Sequence, residues 1–316
     1  MLATLWAATA AAAPTVVVTT PNGRVGSALV RAFDDRGVSV VALARDAAKA
    51  RAAVSANIRV LEADYGDPDA LEAAFASISG STRVFLACGN SPTQATLECN
   101  VIDAAQRHNA EYVVKLSTAS AVLEDERGGP YAAHLEVEAA LAASGVAHTV
   151  LRPNLFFQML VGGGLLGVAL DQNGACEHAF ATAPTAAIDC RDVAAVAAAL
   201  LASDDVTPHN GRVYPLTGPA AVTLVDDLAP KLSLMRGGPV TITACSAEAQ
   251  IRRAMPGLPP PVEASLIGFL EVLAERCRET TPHVEALSGR PPTPLATFVA
   301  EQRVRDFLAG GSHDAT

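Results

Sequence analysis

The stretch Val16-Val17-Val18-Thr19-Thr20-Pro21-Asn22-Gly23-Arg24-Val25-Gly26 decides the fold of this chain. Its apolar beginning predicts a buried β-strand, Asn22-Gly23 predicts a tight turn, and the residues after the turn begin a helix. A helix N-terminus has free backbone N–H groups and a partial positive charge, so it binds anions. The segment therefore predicts a pyrophosphate site of a nucleotide-binding α/β fold, formed by Thr20, Asn22, Gly23, Arg24, Val25 and Gly26.

Strand and helix patterns alternate through the first half of the chain. Apolar runs that predict strands are found at residues 16–19, 38–43, 58–61, 84–87, 112–116 and 147–151. Helical patterns separate them, at residues 24–35, 46–54, 67–75, 93–108 and 130–143. Continuous apolar strands separated by helices are typical of a parallel sheet covered on both faces. We therefore predict an α/β fold with a doubly wound parallel (Rossmann) sheet and a ligand at the carboxyl ends of its strands.

The pattern changes after Arg152-Pro153. Helical segments are predicted at residues 155–170, 192–202, 222–235, 262–277 and 295–308, with short strands at residues 212–216 and 240–243. This half is too irregular for a second doubly wound unit, so we predict a smaller, mostly helical cap. The predicted organisation is an N-terminal extension (1–13), the Rossmann domain (14–153), the cap (154–310) and a short tail (311–316).

Composition narrows the class of protein. The chain has 316 residues, and its 23 basic against 33 acidic residues give a formal charge of −10, whereas nucleic-acid-binding surfaces are usually basic. Six cysteines form no C-x-x-C pair and no cluster with zinc spacing, which predicts reduced thiols and no metal site. No apolar run is long enough to span a bilayer. We expect a cytoplasmic protein, although residues 1–13 leave organelle targeting open.

Arg45 indicates which dinucleotide is bound. It follows the second predicted strand, where this fold meets the adenine ribose and where arginine accommodates a 2′-phosphate. Asp46, beside it, is more simply a helix N-cap than a ribose ligand. The sequence therefore predicts NADPH (NADP as cofactor) over NADH. The alternative is that Arg45 is a solvated surface charge.

Several sequence blocks, taken in order, resemble the NmrA-like group of atypical short-chain dehydrogenase/reductases over about residues 15–305. The blocks are residues 18–26, Ala44-Arg45-Asp46, Glu62-Ala63-Asp64, Val113-Val114-Lys115-Leu116-Ser117, Leu151-Arg152-Pro153-Asn154-Leu155-Phe156-Phe157-Gln158, Ile188-Asp189-Cys190-Arg191-Asp192-Val193, Tyr214-Pro215-Leu216-Thr217-Gly218-Pro219 and Gly289-Arg290-Pro291-Pro292-Thr293. The resemblance implies an NAD(P)H site that includes the turn, Arg45, Asp64, and Ala87-Cys88 after the fourth strand. It also implies that Lys115, Ser117, Pro153 and Asn154 approach the nicotinamide. Alternatively, Asp64 caps a strand end, and Lys115 and Ser117 form an ordinary buried hydrogen-bond pair.

The chain departs from this family in two places. The family usually begins its turn with glycine, whereas this chain has Thr20 followed by Pro21, which predicts extended geometry at Thr20. The Tyr-x-x-x-Lys pair of short-chain dehydrogenases is absent, because Leu135 stands four residues after Tyr131. His134 aligns roughly where related reductases carry a lysine, and histidine transfers protons near neutral pH. The alternative, which the sequence favours slightly, is that His134 only forms a hydrogen bond with the cofactor or with a backbone carbonyl.

We therefore predict an NADPH-binding oxidoreductase that reduces a carbonyl, a quinone or another conjugated small molecule, with His134, Lys115 and Ser117 as candidate catalytic residues. The predicted helix at residues 155–170 would line the substrate pocket, unless its aromatic residues are plain core. One rival is a redox-sensing regulator that binds dinucleotide without turnover and acts on a protein partner. Another is an epimerase or dehydratase of the same superfamily. The substrate stays open, as does the choice between monomer and homodimer.

Overall fold

The computed structural model describes residues 13–119, 132–161, 165–301 and 304. Its strands in those ranges are β1 (Thr15–Thr19), β2 (Val40–Ala44), β3 (Arg59–Glu62), β4 (Thr82–Leu86), β5 (Tyr112–Leu116), β6 (His148–Pro153), β7 (Ala175–His178), β8 (Arg212–Leu216) and β9 (Thr241–Ala244). Seven of them form one sheet in the order β3-β2-β1-β4-β5-β6-β8, and every pairing in it is parallel. β7 and β9 form a separate parallel pair. The predicted doubly wound sheet is confirmed.

The helices of the described ranges cover both faces of the sheet and build the cap. They are α1 (Arg24–Asp34), α2 (Ala47–Ala53), α3 (Pro68–Ala76), α4 (Gln94–Arg107), α5 (Ala133–Ala143), α6 (Phe157–Leu160), α7 (Cys190–Leu201), α8 (Ala229–Arg236), α9 (Ala247–Ala254), α10 (Pro260–Arg276), α11 (His283–Ser288) and α12 (Leu295–Val299). A 3₁₀ turn (Thr207–His209) and a π-helical turn (Leu224–Leu228) complete them. No helix in the described ranges is long and apolar enough to cross a membrane.

Local signals fix where several helices begin. The Asp46 carboxylate accepts the Lys49 N–H at 2.9 Å and caps α2, as predicted. Asp67 caps α3 in the same way, with Pro68 at the first helical position. These caps start each helix at the carboxyl edge of the sheet, where the strands end.

The sheet does not end at the predicted domain boundary after residue 153. β8, from the second half, pairs with β6, and Leu151 lies opposite Tyr214. α7 packs on α1, so that Val193 and Ala197 share a core with Leu29. Small alanine side chains on α7 permit this close packing. The second half therefore contributes a strand and a helix to the Rossmann layer as well as forming the cap.

The predicted helix at residues 155–170 is wrong over most of its length. Among the described residues of this range, only Phe157–Leu160 is helical, and Val161 then pairs with Val168 in an isolated bridge. The sequence Gly162-Gly163-Gly164, outside the described residues, disfavours helix because glycine has a high backbone entropy to lose. Most of the N-terminal extension, the first residues of the helix predicted at 130–143, most of 300–308 and the tail also lie outside the described residues.

Candidate functional site

A cleft of about 350 Å³ opens at the carboxyl ends of β1, β4, β5 and β6. One part of it, the turn half, is lined by Thr20, Gly23, Arg24, Val25, Gly26, Ala87 and Cys88. A second group of lining residues, the apolar half, consists of Leu155, Phe156, Met159, Leu166 and Phe269. Ser117, His134, Pro153 and Asn154 also line the cleft. The cleft thus brings together residues of the sheet domain and of the cap.

The turn half is shaped by backbone contacts that demand glycine. The Gly23 N–H donates to the Thr20 carbonyl at 2.9 Å. A Cβ on Gly26 would lie 2.2 Å from the same oxygen, so only glycine fits there. Thr20 has a φ of 48°, in the left-handed region, and the extended geometry predicted from Pro21 is wrong. The turn closure overrides the local preference, and a β-branched residue is strained in this conformation.

The beginning of α1 suits an anion. Gly23 is the N-cap and its residue type offers no side-chain acceptor, while the first helical bond runs from the Ser27 N–H to the Gly23 carbonyl at 2.8 Å. The N–H groups of Arg24, Val25 and Gly26 precede that bond and belong to cleft-lining residues. Free N–H groups at a glycine-shaped helix N-terminus fit the pyrophosphate of a dinucleotide.

Three predicted cofactor residues stand outside the lining of this cleft. Asn22 belongs to the turn but is not part of the cleft wall. Arg45 is exposed at the end of β2 and makes no hydrogen bond or ion pair with any residue that the structure describes. Asp64 is exposed, and its carboxylate accepts the Gly66 N–H at 2.8 Å in a local turn contact. Arg45 is therefore available as a cation, whereas Asp64 has a local partner.

Thr19 was not singled out from the sequence, yet it joins the two strands that flank the turn half. Its buried hydroxyl oxygen lies 2.8 Å from the Ala87 carbonyl and accepts the Ala87 N–H at 2.7 Å. These contacts hold the loop after β4 against the end of β1. Nothing in the local pattern distinguishes Thr19 from an ordinary strand threonine.

Lys115 lies under the cleft wall rather than in it. Its side chain is fully buried, and Nζ lies 2.7 Å from Oε1 of Glu98, which is equally buried. The same Nζ lies 3.2 Å from Nδ1 of His134. A buried charge requires such a partner, so the lysine inside an apolar strand signals a buried acid. Sequence reasoning missed that the acid is Glu98 on α4.

His134 connects this buried pair to the cleft. Because Lys115 donates to Nδ1, we assign the ring proton to Nε2, which lies 3.3 Å from Oδ1 of Asn90, another cleft residue. Gln94 packs beside the ring, with Nε2 at 3.2 Å from both ring nitrogens. Burial and the neighbouring Lys115 charge lower the pKa of His134 to about 3. At neutral pH this imidazole is therefore uncharged, with Nδ1 as an acceptor and Nε2 as a donor.

Ser117 and Asn154 are held by neighbouring groups. The Ser117 hydroxyl donates to the Glu138 carboxylate, which also forms an ion pair with Arg152. The Asn154 side-chain amide donates to the Cys277 carbonyl at 2.9 Å and so ties the end of β6 to the cap. Tyr131 lies outside the described residues, whereas Leu135, at the usual lysine position, lies within α5.

Comparison with known proteins agrees with this geometry. The model of a family described as NAD(P)H-binding matches residues 21–204, more than half of the chain. A (4-alkanoyl-5-oxo-2,5-dihydrofuran-3-yl)methyl phosphate reductase from Streptomyces griseus is 32% identical over 292 residues, which cover 90% of this chain and 97% of that protein.

Solved structures support the same relationship. An NADPH-dependent quinone oxidoreductase from Escherichia coli, complexed with NADPH, has a TM-score of 0.73 and 26% identity, over 90% of this chain and 98% of that one. The negative transcriptional regulator NmrA, in complex with NADP, shares the fold at 16% identity with a TM-score of 0.72, over 96% of this chain and 98% of that one. The resemblance described above is confirmed: the chain belongs to the NAD(P)H-binding family and has the NmrA-like fold of the atypical short-chain dehydrogenase/reductases.

Proposed function

We propose that this protein is an NADPH-dependent reductase that transfers hydride to an apolar, conjugated small molecule, such as a quinone or an unsaturated carbonyl compound. The single observation that carries the proposal is the cleft, which joins an anion-binding helix N-terminus to an apolar wall. The relatives support hydride transfer to a conjugated acceptor, because one is a quinone oxidoreductase and another is a reductase of a (4-alkanoyl-5-oxo-2,5-dihydrofuran-3-yl)methyl phosphate, whose ring alkene is conjugated with carbonyl groups.

The residues of the turn half would hold the cofactor, and bound NADPH would supply the hydride. In the proposal, the N–H groups of Arg24, Val25 and Gly26 bind the pyrophosphate, and Arg45 binds the 2′-phosphate. Ala87 and Cys88 form the adjacent wall. In the proposal, Pro153 and Asn154, which also line the cleft, form the wall beside the nicotinamide. Asn22 supports the pyrophosphate as part of the turn, and Asp64, in the loop after β3, supports the adenosine side.

The proton would come through His134. In the proposal, the Nε2–H of the neutral imidazole donates to the oxygen of the reduced acceptor in place of Asn90. Lys115 Nζ, at 3.2 Å, gives a proton to Nδ1 in the same movement, so the ring passes a proton without becoming charged. Glu98 stabilises the charged form of Lys115 in the resting protein. The Ser117 hydroxyl donates its hydrogen to Glu138, so its oxygen still has lone pairs that accept hydrogen bonds. In the proposal, that oxygen accepts from the amide N–H of the nicotinamide.

The apolar half indicates the class of acceptor. Two phenyl rings, a thioether and two leucine side chains surround this part of the cleft. Such a wall favours a flat, apolar molecule, because burial of apolar surface contributes about 25 cal/mol per Å². The missing Tyr/Lys pair is compatible with such an acceptor, because a quinone can draw its proton through this relay or from water.

Steady-state kinetics test the proposal. Purified protein is mixed with NADPH and a panel of quinones and unsaturated carbonyl compounds, and absorbance at the nicotinamide band is followed. We expect stoichiometric NADPH oxidation with at least one acceptor. Tight NADPH binding without turnover on the panel would instead support a regulator with a protein partner, and acceptor conversion with no net NADPH loss would support an epimerase or dehydratase.

The proposal extends to compartment and assembly. Cys88, Cys99, Cys176 and Cys245 are free thiols, which suits the reducing cytoplasm. We propose a monomer or homodimer, to be decided by light scattering of the full chain.

A further inference from the structure

Tyr65, in the loop between β3 and α3, contacts the nucleotide turn although it lies 45 residues from it in sequence. The Thr20 N–H donates to the Tyr65 hydroxyl at 3.2 Å. That hydroxyl in turn donates to the Leu43 carbonyl at 2.7 Å. A single phenol therefore joins the end of β2 to the first residue of the turn.

The phenol is itself held firmly. The Tyr65 side chain is buried, with 8% of the residue exposed, and the Asn100 side-chain amide on α4 donates to the Tyr65 carbonyl at 2.8 Å. Burial raises the pKa of Tyr65, so its hydroxyl keeps its proton and serves as donor and acceptor together. The hydroxyl is thus a fixed attachment point for the Thr20 backbone.

Thr20 needs such an attachment. A β-branched residue in the left-handed region is strained, and it persists only where surrounding contacts over-determine it. Its carbonyl is the atom against which Gly26 packs and to which the Gly23 N–H donates. Any rotation of Thr20 would therefore displace the first turn of α1.

We propose that Tyr65 is a positioning residue for the dinucleotide: its hydroxyl holds the strained Thr20, and with it the phosphate-binding turn, in the conformation that receives NADPH. This inference rests on the proposed function for its ligand. Glycine adopts the left-handed conformation without strain, so a turn that begins with glycine does not need this hydrogen bond. The Tyr65 hydroxyl is needed here because threonine begins the turn.

The first test removes only the hydroxyl. Tyr65→Phe leaves the Thr20 N–H without its acceptor, and we expect the Kd for NADPH to rise about tenfold. The KM for NADPH rises with it, while kcat at saturating NADPH stays unchanged. Tyr112→Phe is the matched control, because it removes another buried hydroxyl of the same sheet, bonded to Thr149 on β6 and outside the cleft lining. It should lower the unfolding midpoint and leave the Kd for NADPH unchanged.

The second test removes the strain. Thr20→Gly should bind NADPH at least as tightly as the wild type, and in that background Tyr65→Phe should change the Kd by no more than about threefold. A tenfold loss in both backgrounds would overturn the role of strain. If Tyr65→Phe alone does not fold, the double variant should fold and bind as Thr20→Gly does, and its failure to fold would also overturn the inference.

Different results contradict the proposed function and the role of Tyr65. Wild-type protein that binds no NADPH contradicts the proposed function. Wild-type protein that binds NADPH, with Tyr65→Phe binding equally well, contradicts only the role of Tyr65.

Discussion

The turn half and the apolar half of the cleft are built in different ways. The turn half comes mainly from one continuous strand–turn–helix segment, and its shape depends on backbone atoms and on Gly26. The apolar half comes from three separate places in the second part of the chain: the residues after β6, the residue Leu166, and Phe269 on α10. A site that is built from backbone atoms keeps its shape when side chains are substituted. A wall that is built from side chains of several segments changes shape with each substitution. The difference indicates that the sheet domain determines which cofactor is bound and that the cap determines which acceptor is bound.

The buried Lys115–Glu98 pair beneath the cleft wall gives the largest expected effect. Lys115→Met leaves the buried Glu98 carboxylate without its partner, which should reduce the free energy of unfolding by roughly 3–5 kcal/mol. Urea denaturation measures the change. The double variant Lys115→Met/Glu98→Gln should recover most of it. Arg107→Met, which breaks the exposed pair with Glu72, is the control and should change little. Equal losses for the two single variants would contradict a buried charge pair.

The turn half is tested by Gly26→Ala. A Cβ at 2.2 Å from the Thr20 carbonyl forces the backbone apart, and we expect the Kd for NADPH to rise about a hundredfold. Gly218→Ala is a matched clash elsewhere, because its Cβ would lie 2.1 Å from the Ala187 carbonyl. That control should lower the unfolding midpoint while the Kd for NADPH changes little. Similar loss of NADPH binding in both variants would show that the turn has no special role.

The neutral His134 makes a prediction about pH. Its folded pKa of about 3 is below the ordinary value of 6.5, so between those values the unfolded chain binds a proton that the folded chain does not. Stability therefore falls as pH decreases through this window. From pH 7 to pH 5, wild type should lose about 2 kcal/mol more than His134→Gln in urea denaturation. Parallel pH curves for the two proteins would contradict a neutral, buried imidazole.

The apolar half gives the smallest effect. Met159→Ala removes apolar contact surface from the acceptor wall, and we expect the KM for a quinone to rise roughly threefold to tenfold. The Kd for NADPH should not change. Met235→Ala is the control, because Met235 packs against the cap core outside the cleft lining. A parallel rise in the Kd for NADPH would mean that the two halves are not separate.

The sequence predicts most of what is local. The strand–turn–helix segment, the N-cap Asp46, the start of α3 near Asp67 and the six strands of the first half follow from residue patterns within a few positions, and all are found. The position of Arg45 at the end of the second strand is predictable for the same reason, because that strand has a recognisable pattern. These features are stabilised by contacts close in sequence.

Contacts distant in sequence explain what was missed. β8 reaches β6 across about sixty residues, and no local pattern specifies that partner. Thr20 takes a left-handed conformation against the preference imposed by Pro21, because Gly23 and Tyr65 bind its backbone. Lys115 in an apolar strand indicates that a buried acidic partner exists, but only the folded chain identifies that partner as Glu98. The glycines after Val161 were the available signal against the long helix.

A calorimetric titration of wild type and Arg45→Ala with NADPH and NADH tests the central claim most directly. We expect wild type to bind NADPH more tightly than NADH. Arg45→Ala should weaken NADPH by roughly 1.5–3 kcal/mol, the range for a hydrogen bond to a charged group, and barely change NADH. Absence of binding by either nucleotide, or equal losses for both in Arg45→Ala, would contradict it.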